Sequence, residues 1–330
     1  MANRLRVLYI VPSEPTYRRP WAVDMTEAIG TEHHLVPVDG SRSLIEQVAD
    51  VDVVVDAAGA ASPDLARAAA GSMLLWQLTS VGYDKYDVGS LLDHRIPTAN
   101  CPGFTSASGL AEWAMTLASM VLRRWSEIGH LMRSGRTDLV TGRQLHGRTL
   151  LVLGLGASGR AIVRLARAHG MRVICVRRAG PDDRLAKKLG LARLTGLDEL
   201  DETLPMADVV SLHIPLTGDT ENILDRRRMA LMRPGAVIVN VSRGGLLDEP
   251  ALAELVRAGH LGGAGLDVLA KEPPDPGNPL LDLPQVVVTP HVAGLTDRTS
   301  KRRALFCARN ISRVGAGREP LSRICSSQER

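Results

Sequence analysis

Apolar and polar positions alternate along this chain in two rhythms. Short apolar runs at residues 5–11, 34–38, 51–56 and 73–79 predict buried strands, and the stretches 19–29, 43–49 and 63–70 between them carry apolar residues at helical spacing. The alternation returns later. Runs at 149–153, 172–176, 208–213, 236–241, 264–269 and 286–289 predict strands, while 197–204, 226–231, 250–258 and 298–313 supply helical pieces. Such alternation builds parallel sheets covered on both faces. Residues 106–124 predict a long helix whose Ala, Leu, Met and Trp113 positions spread around most of its circumference. A helix apolar all round must be buried, which puts it between domains or against a second subunit. Residues 130–145 are polar and predict an irregular loop, and the terminal SSQER predicts a disordered tail.

Length adds to this picture: 330 residues exceed the usual size of one core and imply two domains. Charge changes it little. The net charge of +4 is mild, arginines are scattered along the chain, and aromatic residues at 3% are too few for base-stacking platforms, so nucleic acid is not an expected partner. Cys101, Cys175, Cys307 and Cys325 show neither C-x-x-C pairing nor metal-ligand spacing, so no metal is expected, and Cys175 reads as a buried thiol in a core strand. The opening MANRLRVLYIVPSEP ends its apolar run at Pro12 and Glu14 without a small-residue cleavage site, which predicts a first strand and not a signal peptide. No apolar run approaches the roughly 18 residues of a membrane span. A cytoplasmic location is the expectation.

The candidate chemistry starts at residues 149–178, TLLVLGLGASGRAIVRLARAHGMRVICVRR. A strand, then Gly154, Gly156 and Gly159 in G-x-G-x-x-G, a helix and a second strand form the unit that binds dinucleotide pyrophosphates. Gly154 permits the tight turn, Gly156 lets the backbone approach the phosphates, and Gly159 lets helix and strand pack closely. An NAD enzyme carries Asp or Glu at the end of the second strand; here Arg177 and Arg178 stand there. A guanidinium pairs with a 2′-phosphate that a carboxylate would repel, so NADP(H) is expected over NAD(H). The alternative is that both arginines simply face solvent.

Further along, the residues become specific. MRPGAVIVNVSRGGLLDEPAL, GHLGGAGLDVLAKEP and NPLLDLPQVVVTPHVAG, with SLHIPLTGDT at 211–220 and VGYDKYD at 81–87, resemble the D-isomer-specific 2-hydroxyacid dehydrogenase family. The likeness runs from about residue 81 to 294, with the first 80 residues agreeing mainly in pattern. It implies two doubly wound α/β parallel-sheet domains. Residues 1–103 rejoined by 296–330 would be a flavodoxin-like substrate domain, and 104–295 a Rossmann nucleotide domain. The long first helix of the latter commonly serves in dimers of the family, so a homodimer is implied. Two chain crossings would let a cleft open and close as a hinge.

The resemblance also implies roles. Arg243 in VSRGG would hold the carboxylate of a 2-oxo acid and polarise its carbonyl, a task suited to a bidentate cation. His291 in TPHVAG would donate the proton, and Glu272 in DVLAKEP would orient its imidazole. Backbone amides of Val81 and Gly82 would take the remaining carboxylate oxygen, and Ser106 would touch substrate or cap the long helix. Asp267 matches the position holding the nicotinamide carboxamide. His213 and Pro215 match a cofactor-lining segment, although a structural role for His213 stands beside that one. Ala157, Ser158, Val241, Ser242 and Gly294 fall in motifs that border the cofactor. Arg177 departs from the acidic residue of NAD-using members, and Ser158 from a bulkier apolar one. The implied function is NADPH-linked reduction of a small 2-oxo acid, glyoxylate or hydroxypyruvate foremost. A phosphoglycerate dehydrogenase is the runner-up, weakened because DAAGAASPD at 56–64 has no arginine for a substrate phosphate and the chain leaves no room for a regulatory C-terminal domain. A dinucleotide-sensing corepressor-like protein is the competing non-enzymatic function.

Overall fold

The computed structural model describes residues 4–11 and 21–325. The chain forms two compact units, one taking the chain up to Ser106 and again from Leu295, the other spanning Ala107–Gly294. The tail SSQER and the first two positions of the expected helix at 19–29 lie outside the described residues; that helix is described as Trp21–Gly30.

In the first unit, β1 (Arg6–Ile10), β2 (His34–Pro37), β3 (Val53–Asp56), β4 (Leu75–Leu78) and β5 (Thr98–Ala99) form one parallel sheet in the order β2-β1-β3-β4-β5. This is the flavodoxin-like doubly wound order. The unbroken valines of β3 follow from cover on both faces. Val54, with Leu8, Trp76 and Leu78, packs under the helices Leu44–Ala49, Pro63–Ala69 and Val88–Asp93. Val53 and Val55, with Val7, Tyr9 and Leu75, face Met25 and Ile29 on one helix and Ala304, Phe306, Cys307 and Ile311 on the helix Asp297–Gly315. Each fully buried side chain of this size contributes about 1.5–3 kcal/mol. At the end of β3 the buried Asp56 carboxylate accepts from the amides of Ala58, Gly59, Ala60 and Ala61 and from Trp76 Nε1, which fixes the loop after the strand.

In the second unit, β6 (Thr149–Leu153), β7 (Arg172–Val176), β8 (Arg193–Thr195), β9 (Val209–Leu212), β10 (Val237–Asn240), β11 (Gly263–Leu266) and β12 (Val286–Val288) form a parallel sheet in the order β12-β11-β10-β9-β6-β7-β8. Strand order reverses between β6 and β9, the point where doubly wound sheets bind ligands at their carboxyl edge.

Two elements differ in detail from expectation. The long helix is Ala107–Leu122, and its buried face packs within its own unit, against the helix Ala157–Ala168 and β11. Glycines let it approach: a Cβ on Gly265 would lie 2.7 Å from Leu117 Cβ, and one on Gly263 2.9 Å from Val121 Cγ1. The predicted loop at 130–145 begins inside a helix, Trp125–Arg133, none of whose residues is buried. Among the described residues no helix is long and apolar enough to cross a membrane.

Candidate active site

The carboxyl edge of the seven-stranded sheet collects most of the residues singled out by sequence. β6 runs into the glycine turn. Gly154 has φ +97°, and a Cβ there would lie 2.4 Å from His213 O; a Cβ on Gly159 would lie 2.0 Å from Gly154 O. Both must be glycine for the chain's own sake. Gly156 differs, because nothing of the chain lies within 4 Å of where its Cβ would be. It heads the helix Ala157–Ala168 without a side-chain cap, and the first turn, with Ala157 exposed and Ser158 half-buried, holds no acid. Uncapped amides and the positive end of the helix dipole fit a dinucleotide pyrophosphate.

At the end of β7, Arg177 turns into its own loop: Nε donates to Gly180 O at 2.8 Å and Nη2 to Asp182 Oδ2 at 3.3 Å. Asp182 caps the helix Asp183–Leu189 through Leu185 N. Arg178 is exposed and has no ion-pair partner among the described residues. After β9, His213 is buried with Nε2 3.0 Å from Ser211 Oγ, and its Nδ1 has no partner. Burial pushes its pKa down to about 4, so the ring is neutral near pH 7. Pro215 is exposed, its carbonyl accepting from Thr220 Oγ1.

β10 leads through buried Val241 to Ser242 and Arg243. Asn240 brackets this turn, its Nδ2 donating to Arg243 O at 2.8 Å and its Oδ1 accepting from Ser242 N at 3.0 Å. Ser242 Oγ donates to Leu212 O, tying the turn to β9. Arg243 is half-buried, with Nη1 donating to Ser242 O. A Cβ on Gly244 would lie 1.9 Å from the carbonyl carbon of Leu269, so this turn presses on the segment that leads to Glu272.

Glu272 Oε2 lies 3.0 Å from His291 Nδ1, with side-chain exposures of 23% and 42%. The fold therefore brings the carboxylate and imidazole singled out by sequence into contact, from the segments that follow two adjacent strands. His291 holds φ +54°, a left-handed conformation rarely taken by a non-glycine residue. Asp267 is 1% exposed, and its carboxylate accepts from Thr289 Oγ1 at 2.6 Å, Val292 N at 2.9 Å and Ala293 N at 2.8 Å. Burial raises its pKa, opposed by these donors and by His291. A cavity of about 390 Å³ opens beside the Glu272–His291 pair, walled by Leu269, Pro273, Pro274, Leu281, Val288 and Pro290. Gly294 closes this unit.

Val81, Gly82 and Ser106 belong to the first unit. The carbonyls of Val81 and Gly82 accept from Asn100 Nδ2 and Ser80 Oγ, whereas their amides make no hydrogen bond among the described residues. Such amides suit a carboxylate. Ser106 is buried just before the helix Ala107–Leu122. Sequence reasoning missed Asn240 and Thr289, and took Trp113 only as packing. Asn240 carried a signal, as a polar residue ending an otherwise apolar strand.

Residues 115–293 match the family described as "D-isomer specific 2-hydroxyacid dehydrogenase, NAD binding domain". The chain is 32% identical over 285 residues to a glyoxylate reductase of Korarchaeum cryptofilum, covering 84% of each. It is 34% identical over 279 residues to a D-3-phosphoglycerate dehydrogenase of Methanocaldococcus jannaschii, covering 84% of this chain but only 52% of that protein. A crystal structure of a glyoxylate reductase from Paecilomyes thermophila superposes with a TM-score of 0.81 at 27% identity, covering 100% of both chains.

Proposed function

The chain belongs to the D-isomer specific 2-hydroxyacid dehydrogenase family of NAD(P)-dependent oxidoreductases, and on that premise we propose that it reduces a small, unphosphorylated 2-oxo acid with NADPH. One contact carries this: Glu272 against His291 Nδ1 at 3.0 Å, on the same sheet edge as the glycine turn. A nicotinamide dinucleotide, when bound, would supply the hydride. Gly154, Gly156, Gly159 and the amides of Ala157 and Ser158 would hold its pyrophosphate, and the end of β9 at His213 would line its site. Arg243 pairs with the substrate carboxylate and draws electron density from the 2-oxo oxygen. His291 delivers the proton from Nε2 to that oxygen as it becomes a hydroxyl, while Glu272 stabilises the imidazolium at Nδ1. The amides of Val81 and Gly82 take the other carboxylate oxygen.

Arg178, exposed at the end of β7 where NAD enzymes carry an acid, supports NADPH. Arg177 supports it indirectly, by shaping the loop. Glyoxylate and hydroxypyruvate are the leading substrates, supported by the likeness to the Korarchaeum glyoxylate reductase and, at 33% identity over 264 residues, to a hydroxypyruvate reductase of Thermotoga maritima. A homodimer belongs to the same proposal, supported by the exposed Trp125 and Met132, and so does a reducing cytoplasmic location, supported by four free cysteines.

Initial rates with glyoxylate, hydroxypyruvate and phosphohydroxypyruvate, each against NADPH and NADH, test this. Strong NADPH-linked turnover of the unphosphorylated acids is the expected result. NADH preference would overturn the cofactor assignment, preference for the phosphorylated acid would favour a phosphoglycerate dehydrogenase, and no turnover with tight cofactor binding would end the reductase proposal.

A further inference from the structure

We propose that Trp113 and Thr289 are positioning residues for His291, acting through Asp267; the proposal rests on His291 being the proton donor of the reaction above. Trp113 Nε1 lies 3.2 Å from Thr289 Oγ1, and Thr289 Oγ1 lies 2.6 Å from Asp267 Oδ1. An indole N–H can only donate and an ionised carboxylate can only accept. The single hydroxyl proton of Thr289 therefore points to Asp267, and its lone pair receives the indole proton. The chain of bonds has one polarity.

Asp267 in turn grips the segment that carries His291 at both ends. Its carbonyl accepts His291 N at 2.8 Å, and its carboxylate accepts Val292 N and Ala293 N. Between those anchors His291 sits at φ +54°, a conformation costing about 1–3 kcal/mol that persists only where its surroundings over-determine it. The Thr289 hydroxyl is one of three donors holding the 1%-exposed carboxylate in place. Trp113 fixes that hydroxyl from the helix Ala107–Leu122, 176 residues away in sequence.

The test uses Thr289→Val, which keeps side-chain shape and deletes the hydroxyl, Trp113→Phe, which deletes the N–H, and Thr289→Ser, which restores the hydroxyl. Thr289→Val should lower kcat about 10- to 100-fold, the scale expected of a misplaced catalytic group, with KM and cofactor Kd changed by less than about threefold. Trp113→Phe should act in the same direction, and Thr289→Ser should stay within about threefold of wild type. In a His291→Asn background Thr289→Val should add less than about twofold, because both act through one group. An undiminished loss in that background, or unchanged kcat in both Thr289→Val and Trp113→Phe, overturns the proposal. Amide and indole NMR spectra supply a readout that needs no turnover. Thr289→Val must shift the Trp113 Nε1–H and His291 amide resonances together; a His291 resonance that stays put overturns the positioning role. Wild type inactive on every 2-oxo acid, with both resonances coupled, would fault the assigned reaction and leave the relay standing.

Discussion

Glu272 Oε2 and His291 Nδ1 stand 3.0 Å apart, which commits one imidazole nitrogen to the carboxylate and leaves Nε2 for chemistry. His291→Gln should lower kcat by roughly 10²–10⁴-fold, the span of general acid–base contributions, while cofactor affinity holds within a few-fold. Glu272→Gln keeps the shape but removes the charge opposite the imidazolium, and a kcat loss of about tenfold or more is expected. Steady-state kinetics with fluorescence titration of cofactor separate the two effects. Undiminished kcat in His291→Gln would remove His291 from the mechanism.

The glycines of the turn should divide into two kinds. Gly159→Ala forces a methyl to within 2.0 Å of Gly154 O and should cost at least about 2 kcal/mol in urea unfolding. Gly156→Ala meets nothing of the chain, so its stability should change by no more than about 0.5 kcal/mol while cofactor binding weakens. Equal loss of stability in both would contradict the division.

Cofactor choice should follow Arg178 more than Arg177. Arg178→Glu sets a carboxylate where a 2′-phosphate would lie, and kcat/KM with NADPH should fall about tenfold or more relative to NADH. Arg177→Ala breaks an ion pair with Asp182 that is partly exposed, for at most about 1 kcal/mol of stability. If Arg177→Ala instead changed the NADPH/NADH ratio and Arg178→Glu did not, the roles would be reversed.

Asp56 should be a stability residue. Its carboxylate serves four backbone amides and the Trp76 indole, so Asp56→Ala strands the buried or half-buried donors of Ala60, Ala61 and Trp76 and should cost about 3 kcal/mol. Chemical denaturation measures this directly.

His213 ties stability to pH. Its pKa is pushed down from 6.5 to about 4 by burial, so the unfolded chain takes up a proton that the folded chain refuses. The folded state is fully favoured above pH 6.5, loses up to about 3 kcal/mol as pH falls through that window, and levels off below about 4. Unfolding free energies at pH 7 and pH 5 should differ less in His213→Asn than in wild type. Parallel losses would assign the pH dependence to other groups.

How much was legible follows from where each signal sits in the chain. The glycine turn and the Arg243, Glu272 and His291 segments are contiguous motifs, so their residue types announced themselves. Strands β5 and β8 are two and three residues long, too short to show any periodicity. Trp125–Arg133 escaped because none of its residues is fully buried, and without a buried stripe a helix looks like polar loop. Trp113 and Thr289 each looked like packing or strand-end residues. Their bond exists only because the long helix lies against β11 and β12, a fact of tertiary structure that no local window contains.

The helix Asp297–Gly315 covers one face of the sheet begun by β1, and this sets an order of events at the ribosome. That sheet is synthesised first, yet its Val7, Val53 and Leu75 face has no complete partner until the final helix emerges. The unit Ala107–Gly294 is uninterrupted and can close in the meantime. At about 5–20 residues per second, the wait lasts roughly 10–40 seconds. Nascent chains halted before residue 297 should leave the first sheet open to protease, and chains extended past 315 should protect it. Of the two units, the one begun earlier is completed later, so it is there that chaperones should bind.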